Sequence, residues 1–590
     1  MLKMQKIVIQ RTVMNIFKTY HSKIVEIVKA FAPEISEQTI QNITAEAPRD
    51  SSHGDIATNA AMVLAKPLGK NPREIANLIV EQLKNDATIE GAEVAGAGFI
   101  NLKLKTSVWL DFLNKVITDS KITPSNIANG EKINIEYVSA NPTGPMHIGH
   151  ARNSVIGDVL ARLYAAVGYN VTKEYYINDA GAQVNVLASS AFLRYKEALG
   201  VDIGEIPAGL YPGEYLKDVG KKIAKEFGDK FLNYVGAEGS ETPAEIKPFV
   251  IAEILQMIKA DLAALGVKHD VFTSEAAIVA SGKIQESIEF LQAEGNIYRG
   301  VLEPPKGKTP DDWEPREQTL FRATNFGDDV DRPLQKSNGD YTYFATDIAY
   351  HKDKIDRGFN KMVITLGADH GGYVKRLQAV VKSLSGGQAE IKVIVSQLVN
   401  LLENGEQVRM SKRAGNFVTM RDVLDEVGAQ ALRFIMLTRK AEAVIDFDLQ
   451  KVKEQNKDNP VFYVQYAHAR ICSVLRQAEE VFGAVNLKQN IKFELLQHTA
   501  ELNLIKKIAE FPRAIELAAI HAEPHRVALY AHELASDFHS LWALGRDANL
   551  KFIDAENIEV SKARLALITG CKIAIAAALD VVGVEAVEKM

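Results

Sequence analysis

The run from Ile133 to Asp179 constrains the fold of this chain more than any other stretch. INIEYVSA (133–140) has the composition of a buried strand, and Asn-Pro-Thr-Gly-Pro follows it. A helical pattern then extends from about Ile148 to Val167, where Gly168 ends it, and VTKEYYIND is a second strand signal. Strand, tight loop, helix and strand in that order predict a parallel βαβ unit. Parallel-sheet signals return in YTYFATDIAYH (341–351), KMVITLGAD (361–369) and IKVIVSQLV (391–399). Residues 190–290 read as mostly amphipathic helix inserted between the two sets of strands.

A chain of 590 residues exceeds what one hydrophobic core organises, so several domains are expected. Residues 14–120 form a small α/β unit: amphipathic segments at 14–32 and 72–86 flank DSSHGDIATN, and AGAGFINLKLK (95–105) alternates like a strand. KITPSNIANGEK (121–132) gathers Pro, Asn, Ser and Gly as a linker does. From about 456 onward the pattern is nearly all helical, as in VFYVQYAHARICSVLRQA and VALYAHELASDFHSLWAL. Residues 1–13 precede a later in-frame methionine, Met14, and read as an extension outside the fold without a signal-peptide cleavage pattern. No apolar run approaches the roughly 20 residues that span a bilayer, so no membrane partner is expected. The two cysteines, Cys472 and Cys571, cannot form a four-cysteine zinc site and suit a reducing compartment. A formal charge of −6 gives a nucleic-acid partner no support unless positive charge is gathered on one face.

The densest chemistry lies in Asn141-Pro-Thr-Gly-Pro-Met-His-Ile-Gly-His150. The two prolines keep the chain extended until the helix starts. His147 and His150 then stand three apart on the first turn and face the same way, with Gly149 allowing a flat group close to the backbone. A helix N-terminus favours phosphate, and two imidazoles there can donate hydrogen bonds to phosphate oxygens as charge builds up. With 13 His and 39 Gly in the chain, His-x-Gly-His should arise by chance only about 0.02 times. A pair of surface histidines and a zinc site remain as alternatives, but no third ligand accompanies the pair, and no metal residue is assigned. A second segment, VRMSKRAGNFVTM (408–420), follows the polar turn Glu403-Asn-Gly-Glu406 and places Arg409, Lys412 and Arg413 on a glycine-containing loop. Such a loop near a nucleotide can neutralise leaving pyrophosphate, although alone it reads as solvated surface.

His-Ile-Gly-His after a buried strand resembles the signature of class I aminoacyl-tRNA synthetases, and EYVSANPTGPMHIGHARNSVIGD is similar to the arginyl family in particular. The segment around Lys412 resembles the second class I signature, KMSKS, with Arg409 where the first lysine belongs and Lys412 matching the second. YYINDAGAQVN (175–185) resembles a loop near the family's pocket. AQALRFIML (429–437), with Gln430 in place of the usual aspartate, resembles the segment that names its anticodon-binding domain, and DNPVFYVQYAHARI (458–471) resembles that domain's opening.

The resemblance implies an α/β multidomain protein: a Rossmann-like parallel-sheet catalytic domain (132–455) with a helical insertion, a small N-terminal α/β domain against the tRNA elbow, and an all-helical anticodon-binding domain (456–590). It implies His147, His150 and Lys412 as catalytic residues. ATP is then bound by Ala140, Asn141, Pro142, Thr143, Gly144, Pro145, Met146, His147, Ile148, Gly149 and His150 with Met410, Ser411, Lys412 and Arg413. A guanidinium substrate asks for carboxylates in forked geometry. Glu136, Asn141, Tyr343 and Asp347 match the family's arginine-binding positions, Ser139 is added, and His370 in GADHGGY stands where some relatives have glutamine. Taken singly, Glu136 also reads as an edge-strand surface charge and Asp347 as a helix N-cap. The expected partners are ATP with Mg²⁺, L-arginine and tRNA(Arg), for a monomeric cytoplasmic enzyme. Two other readings are a different class I ligase or nucleotidyltransferase, and an idle relative acting as a tRNA-binding scaffold.

Overall fold

The computed structural model describes residues 15–48, 50–236, 242–302, 316–336, 338–408, 418–547 and 550–590. The expected extension 1–13 and Met14 lie outside the described residues. The chain divides into two compact units: residues 1–127 with 460–521 and 526–590, and residues 128–459 with 522–525.

The first unit is built from both ends of the chain. Its N-terminal part begins with a helix, Ile16–Phe31, capped by the Asn15 side chain, which accepts the Lys18 N–H. Four antiparallel strands follow, β1 (Ala45–Glu46), β2 (Ile56–Thr58), β3 (Ile89–Ala95) and β4 (Phe99–Leu104), in the order β1-β2-β4-β3. The C-terminal part is helical, from Pro460–Phe482 to Ile558–Val582. The two parts share polar ties: Asn15 Nδ2 donates to Glu516 Oε2 (3.0 Å), Ser125 N–H to Glu516 Oε1 (2.8 Å), and Lys506 pairs with the buried Asp55 (2.6 Å). Both cysteines are unpaired and buried on these helices. The expectation that no apolar segment is long enough for a bilayer needs correction. Helix Ile558–Val582 has the length and, with a mean hydropathy of 2.0, the composition, because its most apolar 18-residue window holds no more than two charged residues. Two thirds of that window (67%) is buried inside the protein, and the helix is a strut of this unit's core.

The second unit centres on a parallel sheet of β5 (Lys132–Glu136), β6 (Asn170–Ile177), β7 (Val271–Ser274), β11 (Lys361–Gly367) and β12 (Glu390–Ser396), in the order β12-β11-β5-β6-β7. Glu136 therefore ends the central strand, and the edge-strand reading of it fails. The helix after β5 spans Ile148–Ala166. Chain order runs outward from β5 to β6 and β7, then returns to the other side of β5, which puts the topological switch between β5 and β11. Ligands of such sheets bind at the carboxyl ends of the strands beside that switch. β8 (Ile297–Val301), β9 (Glu317–Phe321) and β10 (Arg332–Pro333) make a small antiparallel sheet. β13 (Val399–Glu403), β14 (Glu406–Gln407) and β15 (Ile445–Asp448) make a third sheet.

The insertion is mostly helical, as expected, and also contributes β7 to the sheet edge. One expectation about elements changes. The segment read as a strand at 341–351 is the start of a helix, Tyr343–Asp356. Its aromatic and β-branched residues suggested a strand, but Phe344, Ala345, Ile348 and Ala349 fall on one helical face and pack in a core with Phe321, Ile288, Leu291 and Val380. Asp347 thus lies inside the helix, one turn after Tyr343 and on the same side, and does not cap it.

Candidate active site

β5 ends at Glu136, and the chain then takes a turn that L-residues rarely adopt. Val138 has φ of 68° and Ser139 of 39°. Left-handed geometry is costly for a β-branched residue and persists only when neighbours determine it. Val138 N–H donates to Asn153 Oδ1 at 2.7 Å, and the same oxygen accepts from Thr365 Oγ1 at 2.8 Å. Ser139 Oγ accepts the Tyr176 N–H at 3.0 Å and donates to Glu136 Oε1 at 3.3 Å. Tyr137, fully buried, packs against Gly157 of the following helix, where a Cβ would stand 2.2 Å from the Tyr137 ring. Ala140, also buried, accepts the Tyr175 hydroxyl at 2.8 Å through its carbonyl.

The helix Ile148–Ala166 starts in an unusual way. His147 is its N-cap, and its Nδ1 accepts the Gly149 N–H at 3.1 Å, while His150 Nδ1 accepts the His147 N–H at 3.1 Å. The two histidines form a reciprocal capping box, with ring centroids 3.8 Å apart. Because each Nδ1 accepts, each neutral ring carries its proton on Nε2. Both rings thus offer an N–H donor at a helix N-terminus. Pro142, Met146 and Ile148 are buried and serve packing, whereas Thr143, Gly144, Pro145 and Gly149 keep partial exposure. Tyr215 donates to the Thr143 carbonyl at 2.7 Å and lies against Gly144, whose φ is 153°. Asn141 is exposed and donates to Gln183 Oε1 at 3.2 Å.

The flanks of the basic segment meet this loop. Met420 N–H donates to the Met146 carbonyl at 2.7 Å, and Thr419 pairs with His147 as an isolated bridge. Arg409, Met410, Ser411, Lys412 and Arg413 themselves lie outside the described residues.

Acidic groups gather beside the same strand ends. Glu136 is 4% exposed and pairs with the fully buried Lys354 at 2.5 Å. Behind it, Glu174 accepts from Asn134 (2.6 Å), Thr273 (2.5 Å) and Arg357 (2.9 Å). Burial alone would raise the Glu174 carboxyl, but Lys354, Thr273 and Arg357 outweigh it and hold the group below its ordinary value. Asp347 has no such partner among the described residues. Burial first, and then the charge of Glu136, push its carboxyl up to about 7, with Glu275 adding and Arg376 opposing. Tyr343 stands open to solvent (63% exposed) on the face that carries Asp347. His370, in the short 3₁₀ turn after β11, is half-exposed and meets Asp369 (3.4 Å) and the edge of Tyr373.

Glu275 was not anticipated from the sequence. It is 4% exposed at the start of helix Glu275–Ala280, its Oε2 has no hydrogen-bond partner among the described residues, and burial followed by the charge of Asp179 raises its carboxyl. It adds to the field on Asp347. A buried carboxylate oxygen without a donor, close to a second acid with a raised pKa, is a site that asks for a cation. The only sequence signal was one acid directly after a short strand at the sheet edge. Among the described residues no group of three His, Cys, Asp or Glu could hold a metal ion, so no residue is assigned to Mg²⁺ and no step runs through it.

Comparison with known proteins agrees with this geometry. The family model "tRNA synthetases class I (R), catalytic domain" matches residues 113–277 and 314–474. "Arginyl tRNA synthetase N terminal domain" matches 13–104, and "DALR anticodon binding domain" matches 464–590. The arginine–tRNA ligase of Brucella canis is 53% identical over 98% of this chain and 100% of its own length. That of Nitrobacter winogradskyi is 54% identical over 93% of this chain and 94% of its own. The arginyl-tRNA synthetase structure from Thermus thermophilus superposes with a TM-score of 0.71 over 98% of this chain and all of that one, which at 21% identity speaks to the fold alone. With a nucleotide signature at a parallel-sheet switch point and full-length relatives at this identity, the chain belongs to the arginyl-tRNA synthetase family of class I aminoacyl-tRNA synthetases.

Proposed function

We propose that this protein is an arginine–tRNA ligase that activates L-arginine with ATP to arginyl-adenylate and pyrophosphate, then transfers arginine to the 3′ end of tRNA(Arg). The observation that carries this reading is the acidic pocket of Glu136, Asp347 and Glu275 beside the capped histidine helix. Asp347 and Glu275 are the acids left without a resident cation in hydrogen-bond contact, and a guanidinium supplies forked donors to two carboxylates at once. Glu136, already paired with Lys354 and Ser139, is oriented as an acceptor for the α-amino group. Tyr343 offers its ring to the substrate's planar head. The substrate carboxylate attacks the α-phosphate while the Nε2–H groups of His147 and His150 donate to phosphate oxygens. Lys412 is proposed to neutralise the departing pyrophosphate. A lysine substrate presents a point charge and leaves part of the paired acids unsatisfied, so discrimination needs no second, hydrolytic site.

For the tRNA half, the helical part of the first unit offers a stacking platform. Arg470 lies over Tyr466 and Trp542, 4.3 and 4.8 Å from the ring centroids, and His539 sits against Tyr463 at 4.6 Å. Beside them a cavity of about 180 Å³ is lined by Val474, Gln477, Trp542, Lys551 and Phe552. Aromatic faces next to a cation suit unstacked bases, which compensates for the net charge of −6. We place the enzyme in the cytoplasm as a monomer, with the unpaired buried cysteines supporting a reducing compartment.

The deciding experiment is ATP–pyrophosphate exchange with each amino acid, run with and without tRNA. Arginine-dependent exchange alone is expected. Exchange with another amino acid, or none with any, would overturn the proposal.

A further inference from the structure

The left-handed turn at Val138–Ser139 lies between two residues proposed to meet arginine, Glu136 and Asn141, yet its strongest tie comes from the other ligand's element. Asn153 sits on the second turn of the histidine helix, is 7% exposed, and directs Oδ1 at two donors. One is the Val138 N–H and the other is Thr365 Oγ1 on β11. The amide oxygen has two lone pairs and accepts both, at 2.7 and 2.8 Å. A single atom therefore joins the nucleotide helix, the strand that follows the switch point, and the strained turn. Val138 is the unfavourable member, because a β-branched side chain at φ 68° has no intrinsic reason to stay there. Once that turn relaxes, Ser139 no longer holds both the Glu136 carboxylate and the Tyr176 N–H.

We propose that Asn153 is a positioning residue of the arginine site: it holds the Val138–Ser139 turn left-handed and so aims Glu136, Ser139 and Asn141 from the histidine helix. The inference rests on the reading of that pocket as the arginine site. On this reading Asn153 acts through the turn, so its loss should weaken arginine more than ATP.

The test is calorimetric titration of the full-length protein with arginine and, separately, with ATP. In N153A the arginine Kd should rise about 10-fold or more, with the ATP Kd within about 2-fold. Glycine adopts positive φ without strain, so V138G added to N153A should recover a clear part of the lost arginine affinity. If N153A does not fold, T365V keeps Asn153 and removes one of its two donors, and the same preference for arginine should appear at about 3-fold. Equal losses for both ligands, an unchanged arginine Kd, or no recovery in the double variant would overturn the inference. A wild-type protein that binds no arginine in the same titration would overturn the functional reading as well.

Discussion

At the scale of the residue, Asp347 sets the pH at which the pocket is ready. Its carboxyl is raised from 3.8 to about 7 by burial and by Glu136, so near neutrality it is only partly ionised when no ligand is bound. A guanidinium needs the ionised form, and arginine binding should therefore release a proton. Below pH 7 the arginine affinity should fall by up to about 10-fold per pH unit, and above pH 8 it should level off. Titrations at pH 6, 7 and 8 in buffers of different ionisation enthalpy measure both effects, and a flat profile would rule them out. For the ligand-free fold the sign is opposite. A raised carboxyl contributes stability that is fully present below 3.8 and lost as pH rises through about 7. Arginine should consequently raise the melting temperature more at pH 8 than at pH 6. His150 permits a cleaner substitution than alanine. Glutamine at the third helical position can still accept the His147 N–H, which keeps the capping box while removing the imidazole. H150Q is expected to melt like the wild type and to lose about 10²-fold or more in pyrophosphate exchange. Near-normal exchange would remove His150 from the chemistry.

At the scale of the element, the histidine helix and β5 act as one piece. Gly157 lets the Tyr137 ring lie against the helix backbone, and a Cβ there would meet the ring at 2.2 Å. G157A should cost about 1–3 kcal/mol by overpacking and weaken arginine binding through displacement of Glu136, checked by thermal melts alongside titration. This helix was legible in the sequence because prolines block an earlier start and Gly168 marks its end. The helix Tyr343–Asp356 was not, because Tyr, Thr and Phe favour strands and only its partners in the core reveal the 3.6-residue face. Tyr343 and Asp347 were nominated by the family resemblance, and the helix sets them one turn apart. Glu275 escaped notice for a different reason. Nothing in a local window distinguishes it among 75 acidic residues, since its meaning comes from β7 joining a sheet edge next to β6. The reciprocal caps of His147 and His150 were likewise invisible, for spacing reports a shared face and not which ring nitrogen accepts.

At the scale of the whole molecule, the anticodon-type helices cannot be treated as a detachable module. Gly570 of helix Ile558–Val582 is so close to helix Thr106–Asp119 that a Cβ would stand 2.6 Å from Leu113 Cδ1, and Glu516 takes hydrogen bonds from both Asn15 and Ser125. Truncation after residue 459 should expose the N-terminal part of this unit and make it protease-sensitive, as limited proteolysis would reveal. A truncated chain that resists protease as the full chain does would contradict the shared core. For testing tRNA contact, R470A is the better variant: arginine-dependent exchange should survive while the KM for tRNA in charging rises about 10-fold. The bonds of Glu516 also impose a timetable on synthesis. Ser125 leaves the ribosome 391 positions before Glu516, which at roughly 5–20 residues per second is a wait of about 20–80 s. The nucleotide-binding unit, of which residues 128–459 emerge in the interval and only 522–525 later, can fold ahead, and the N-terminal domain stays without its apolar partner until translation is nearly over.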